Sequence, residues 1–136
     1  MKDTNYLIFN GVDLSQAIEL LGDLETFDNN LPNFANGLKE KMSDLKDDLI
    51  KGDLENYSMI AHSLKSDAKF FGFNKLSNIA LDHEAKSKEN DVEYLKTHFK
   101  ELFNEALLAF SVCNTYLGNT PITKKEDNNA KFDKTI

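Results

Sequence analysis

Residues 54–71, LENYSMIAHSLKSDAKFF, carry the clearest secondary-structure signal in the chain, because their apolar side chains recur at alternating spacings of three and four. This spacing is typical of one face of an α-helix. Asp53 precedes the stretch as a candidate N-cap, and Gly72 follows it as a stop. The sequence therefore predicts an amphipathic helix whose inner face consists of Leu54, Tyr57, Ala61, Leu64, Ala68 and Phe71.

Similar apolar stripes lie on both sides of this helix. They predict a short helix after Asp13 that stops at Gly22, a longer segment that ends near Gly52, a helix from Asn74 to Asn90, and a long helix between Asp91 and Gly118. Pro32 falls inside the longer segment, where we expect a kink or a restart. The pattern predicts an all-α domain over residues 1–118, an antiparallel four-helix bundle with a short N-terminal lid helix, and a polar, flexible tail or linker over 119–136.

Composition narrows the class of protein. The 136 residues suit one domain, and 16 basic against 23 acidic residues leave a net charge of −7, which disfavours a nucleic-acid partner. The single cysteine, Cys113, excludes an intrachain disulfide and cysteine-rich zinc sites. Every basic residue is lysine, so no guanidinium can clamp a phosphate. No apolar stretch approaches the roughly 20 residues of a membrane span, and no signal peptide is visible. We therefore expect a cytoplasmic protein without a membrane partner.

His62 lies about 130° around the predicted helix from the apolar stripe and should therefore face water. Lys65, Ser66 and Lys69 share this exposed surface. A neutral imidazole nitrogen is a competent nucleophile toward phosphorus, and a lysine one turn away can meet phosphoryl oxygens. Ser66 is small enough to leave room for the group and its donor. These residue types in this arrangement suit phosphoryl transfer.

The same residues resemble the signature of the histidine-containing phosphotransfer (HPt) domain. That signature has leucine, lysine and a small residue at the second, third and fourth positions after the histidine, then glycine and leucine further on. Here these positions are His62, Leu64, Lys65, Ser66, Gly72 and Leu76. The resemblance extends over about residues 10–118, with Glu84 at the family's usual acidic position in the next helix.

The resemblance implies that His62 accepts a phosphoryl group from the aspartyl phosphate of a response-regulator receiver domain and passes it to another receiver. Lys65 would stabilise the phosphoryl oxygens, and the partner receiver would supply Mg²⁺, so the chain needs no cofactor or metal of its own. A hybrid sensor histidine kinase is a further partner that the family allows. No P-loop pattern is present, so we expect a phosphotransfer intermediate without ATP-dependent kinase activity of its own. We also expect the protein to be a monomer.

Three positions depart from the family pattern: Lys69 stands where a small residue is general, Phe70 where a polar one is common, and His83 where leucine is usual. We expect Lys69 and Phe70 to contact partners, with Met59 and Phe73 completing an apolar patch beside His62. The alternative packs Phe70 and Phe73 against the end of the bundle.

Two other interpretations stay open at this point. His83, Glu84 and His98 have side chains that suit a divalent metal, although His83 lies on an apolar stripe and is better explained as a partly buried side chain with one satisfied nitrogen. The chain could also be a non-catalytic helical adaptor that binds receiver or kinase domains.

Overall fold

Aspartates begin five of the six helices in the structure, a computed structural model that describes residues 2–118. The side chains of Asp3, Asp13, Asp23, Asp53 and Asp91 each accept a hydrogen bond from a backbone N–H in the first turn. The helices are α1 (Thr4–Phe9), α2 (Leu14–Leu21), α3 (Leu24–Lys51), α4 (Leu54–Phe70), α5 (Asn74–Lys88) and α6 (Val92–Leu117). The all-α prediction is confirmed, whereas the predicted tail, 119–136, lies outside the described residues.

The four long helices α3, α4, α5 and α6 form the bundle. Each packs against the next along the chain, and α6 packs back against α3, so the four close into a ring. Short turns join them, which makes neighbouring helices antiparallel. The predicted lid helix is α2, which lies against α3 and α4, while α1 lies against α6 and α2.

The core near the α4–α5 turn is aromatic. Phe34 of α3 stacks on Phe71 and Phe73, with ring centroids 4.8 and 5.4 Å apart, and Phe27 lies 5.7 Å from Phe71. All four side chains are buried. Because such rings bury a large apolar area, they anchor the α4–α5 turn to α3.

Two features differ from the sequence pattern. Helix α1 was not predicted, because six residues are too few to show a period, and it depends on the burial of Leu7 and on the Asp3 cap. Pro32 does not cause a restart, since α3 runs unbroken from Leu24 to Lys51. Proline removes one backbone donor, but buried Leu31, Phe34 and Ala35 hold the helix on the core around it.

Within residues 2–118, no helix combines the length and the apolar character that crossing a bilayer requires.

Candidate functional site

His62 lies midway along α4 on the outer face of the helix, and its side chain is 61% exposed. The neighbouring residues of the apolar stripe, Ala61 and Leu64, are fully buried. The predicted orientation is therefore confirmed, since the stripe turns inward and the imidazole outward. This arrangement follows from the helical period once one face is buried.

Glu84 of α5 organises the site. Its carboxylate is 7% exposed and accepts hydrogen bonds from His62 Nδ1 (2.9 Å) and Lys88 Nζ (3.1 Å) at Oε2, and from Lys65 Nζ (2.8 Å) at Oε1. Burial by itself would raise the pKa of Glu84, but the hydrogen bonds from Lys65, Lys88 and His62 outweigh it and hold the pKa at about 2. Glu84 is therefore ionised throughout the physiological pH range.

The carboxylate also sets the tautomer of His62. An ionised carboxylate can only accept hydrogen bonds, so Nδ1 of the neutral imidazole carries the proton. This leaves the lone pair on Nε2, in a side chain that is mostly exposed. The arrangement presents an unprotonated nitrogen to an incoming group, with two ammonium groups held beside it.

An open groove of about 710 Å³ runs beside His62 between α2, α4 and α5. Among the residues that line it are His62, Lys65, Ser66, Lys69, Phe70 and Leu81. The predicted site residues Lys65 and Ser66 thus lie together with His62 on the groove wall. Ser77 of α5 donates a hydrogen bond to the Lys65 carbonyl (2.8 Å), which holds α4 and α5 close together at this level.

Three of the four expected partner-contact residues are exposed. Met59 is 63% and Phe70 is 41% exposed, and Lys69 is also exposed. Met59 lies with Lys88 along a second, shallower depression on the other side of His62. Phe73 is the exception: it is 7% exposed and stacked on Phe34, so its side chain belongs to the core, and its expected place in the exposed patch is corrected.

The turn after α4 explains the glycine of the motif. Gly72 has a φ of +81°, and a Cβ added there would lie 2.5 Å from the backbone oxygen of Asp13. The Asp13 N–H donates to the Gly72 carbonyl at 2.9 Å. Nearby, Gln16 of α2 donates from Nε2 to the Lys69 carbonyl (2.9 Å) and to Asn74 Oδ1 (2.8 Å). These contacts hold α2 against the α4–α5 turn, so that α2 forms one wall of the groove.

The three residues considered for metal binding do not converge. Glu84 faces His62 and the two lysines, His83 Nδ1 shares a hydrogen bond with the Tyr57 hydroxyl (2.8 Å), and His98 Nδ1 lies 3.0 Å from the Tyr94 carbonyl oxygen. Over residues 2–118 no three metal-ligand side chains meet at one point. The geometry thus assigns these side chains to other contacts.

Neither Lys88 nor Gln16 was predicted to lie at the site, and Glu84 was noted only through the family resemblance and as one of three candidate metal ligands. A charged residue on the inner stripe of α5, beside Ala80 and Ser87, was the available signal for Glu84. A buried acid needs partners, so it marks a contact on a neighbouring helix. Lys88 is one turn after Glu84, a spacing that favours an ion pair.

Comparisons with models of protein families, with curated proteins and with solved structures found no match to this chain.

Proposed function

We propose that this chain is a histidine phosphotransfer protein, which relays a phosphoryl group between aspartates of receiver domains through His62. The observation that carries the proposal is the hydrogen bond from His62 Nδ1 to a buried carboxylate that also binds two lysines. It supplies a nucleophilic Nε2 and nearby positive charge on an exposed face. The proposal includes a cytoplasmic location and a monomeric state. The proposed partners are receiver domains and a hybrid sensor histidine kinase.

Transfer of the phosphoryl group to His62 requires no proton donor or acceptor from solution. The Nε2 lone pair attacks the phosphorus of a receiver's aspartyl phosphate, the P–O bond to the aspartate breaks, and the aspartate leaves as a carboxylate. His62 becomes a phosphoimidazolium that keeps its Nδ1 proton, and the Glu84 carboxylate 2.9 Å away offsets the new positive charge. In the reverse transfer neutral imidazole is the leaving group, so one hydrogen bond serves both directions.

Lys65 and Lys88 compensate the negative charge of the transferred phosphoryl group. A phosphoryl group on His62 brings about two negative charges next to the Glu84 carboxylate. Lys65 of α4 and Lys88 of α5 both reach Glu84, so positive charge from two helices is already in place beside the imidazole. The magnesium ion used in such transfers would be held by the receiver, and this chain contributes position and charge.

The test is to mix the chain with a panel of phosphorylated receiver domains and follow the loss of phosphate from each. We expect at least one receiver to lose its phosphoryl group rapidly while acid-labile phosphate appears on this chain. Receivers that bind tightly but transfer nothing would instead identify a non-catalytic adaptor and overturn the proposal.

Lys65→Ala is expected to slow transfer roughly 10- to 100-fold at saturating receiver, because a charge-assisted hydrogen bond to the phosphoryl oxygens is lost. Stopped-flow measurement of phosphate loss from the receiver gives the rate, and receiver affinity should change little. Lys75→Ala is the matched control, since Lys75 is a lysine that pairs with Glu105 of α6. Equal rates for the two variants would make Lys65 an ordinary surface charge.

Glu84→Gln is expected to slow transfer about tenfold, because the neutral amide can still bond to Nδ1 but cannot offset the charge of the phosphoimidazolium. The same rate measurement applies. Glu89→Gln, which makes the same charge change where the residue pairs with Lys86 and lies away from His62, should leave the rate unaltered. An unchanged rate in Glu84→Gln would contradict the charge-compensation role.

Lys69→Ala and Phe70→Ala should affect docking in different ways. A rim lysine acts on association, so Lys69→Ala should lower the association rate and flatten its dependence on salt. Phe70 offers a partly exposed ring whose burial by a partner is worth roughly 1 to 3 kcal/mol, so Phe70→Ala should mainly speed dissociation. Surface-binding kinetics with the cognate receiver separate the two effects. Lys96→Ala and Leu108→Ala, both on α6, are the controls; if all four variants behave alike, the receiver docks elsewhere.

A further inference from the structure

His83 is a fully buried histidine on the inner face of α5, between α4 and α6. Its ring stacks on Tyr57 (centroids 6.1 Å apart) and meets Tyr94 edge-on (5.8 Å). Nδ1 shares a 2.8 Å hydrogen bond with the Tyr57 hydroxyl, whereas Nε2 is buried with no hydrogen-bond partner among the described residues. One of its two nitrogens is therefore left unsatisfied in the core.

This environment disfavours the charged form of the ring. The side chain is fully buried, and Nε2 has no hydrogen-bond partner in the described residues, so an imidazolium would lose its hydration without a well-placed acceptor for both N–H groups. The titratable groups that face His83 are Tyr57 from α4 and Tyr94 and His98 from α6, none of which is an anion at neutral pH. Burial lowers the pKa of His83 to about 4, and it outweighs the backbone of His98 and the charge of Asp82, which both favour protonation.

His83 is also coupled to the site through its position. It immediately precedes Glu84, and Tyr57 lies on α4 little more than one turn before His62. Hydrogen bonds of both residues therefore join α5 to α4 at this level: His83 to Tyr57 on the inner side, and Glu84 to His62 and Lys65 on the outer side. Because His83 and Glu84 are consecutive residues of one helix, a displacement of this part of α5 away from α4 would carry both side chains with it.

We propose that His83 is an acid-sensitive lock on α5: mild acid favours an open state in which His83 is protonated and hydrated and Glu84 no longer holds His62. The opening of α5 in mild acid does not depend on the proposed function, whereas the effect of this opening on phosphoryl transfer rests on it. The direction of the pH effect follows from the difference in the pKa of His83 between the closed and open states. Because the pKa of His83 is lower in the closed state than in an open or unfolded one, the closed state loses stability as pH falls from about 6.5 toward 4.

The test is amide hydrogen exchange of α5 in the whole chain at pH 7.5 and pH 5.0, corrected for intrinsic exchange rates. The two pKa values, 6.5 and about 4, give an expected rise of about 30-fold in the opening equilibrium of α5 at the lower pH. His83→Gln can still bond to the Tyr57 hydroxyl but does not titrate, and it should remove this rise. The double variant Tyr57→Phe with His83→Leu removes both polar groups and serves if His83→Gln folds poorly.

His98→Gln is the control, because it deletes another histidine near the same helices and should keep the rise. An unchanged opening of α5 in the unsubstituted chain, or a rise that survives in both His83 variants, would overturn the lock. An equal rise in α3 would also overturn it, since that result means global unfolding. None of these readouts involves phosphate, so failure of the relay proposal would leave them interpretable.

Discussion

Replacing His62 with glutamine is expected to abolish phosphorylation of the chain altogether, because Nε2 of this side chain is the proposed nucleophile. Glutamine keeps polarity at an exposed position but offers no nitrogen lone pair of comparable nucleophilicity. Incubation with a phosphorylated cognate receiver, followed by measurement of acid-labile phosphate on this chain, gives the result. Since the side chain is 61% exposed, the free energy of unfolding should change by about 0.5 kcal/mol or less in urea titrations.

The other two histidines provide the matched controls. His98→Gln should be labelled like the unsubstituted protein, because its Nδ1 lies against the Tyr94 carbonyl oxygen on α6, away from the site. His83→Gln should also be labelled at pH 7.5, where the buried ring is neutral. Labelling of His62→Gln at the level of the unsubstituted chain would refute the assignment of the phosphorylated residue.

Gly72→Ala is expected to lower the free energy of unfolding by roughly 3 kcal/mol. Two costs combine: alanine is strained at a φ of +81°, and its Cβ would lie 2.5 Å from the Asp13 carbonyl oxygen. Relief requires α2 to move away from the α4–α5 turn. Equilibrium unfolding in urea, followed by circular dichroism, measures the change.

Gly52→Ala distinguishes the cost of backbone strain from the cost of the steric contact with α2. Gly52 has a nearly identical φ of +76°, but a Cβ added there has nothing within 4 Å. It should therefore cost only the backbone strain, about 1 kcal/mol. If the two variants were destabilised equally, the contact with α2 would not be the reason for glycine at position 72.

Local signals account for most of what could be predicted about the fold. Asp13, Asp53 and Asp91 were expected to begin helices and do so, because an N-cap acts on the backbone of its own first turn. The stripe of α4 was sufficient to orient His62 outward, since the helical period relates the two directly. Lys65 and Ser66 follow His62 at helical spacing, so their place beside it was predictable for the same reason.

Where prediction failed, contacts between distant segments decided the outcome. Phe73 was assigned to an exposed patch, but the ring of Phe34, far away in sequence, covers it. Pro32 was expected to kink or restart a helix, and the restart does not occur, because burial of its flanking residues keeps α3 continuous. Neither result follows from a local pattern, because each depends on which surfaces meet in the folded chain.

The candidate site divides in the same way. By itself the sequence determined that His62, Lys65 and Ser66 share one outer helix face, because all three lie within a single helix whose period is known. Only the tertiary structure decided that Glu84 and Lys88 of α5 complete the site and that Nδ1 of His62 carries the proton. Hydrogen bonds of about 3 Å between side chains on different helices depend on how closely those helices pack, and no spacing along the chain specifies that distance.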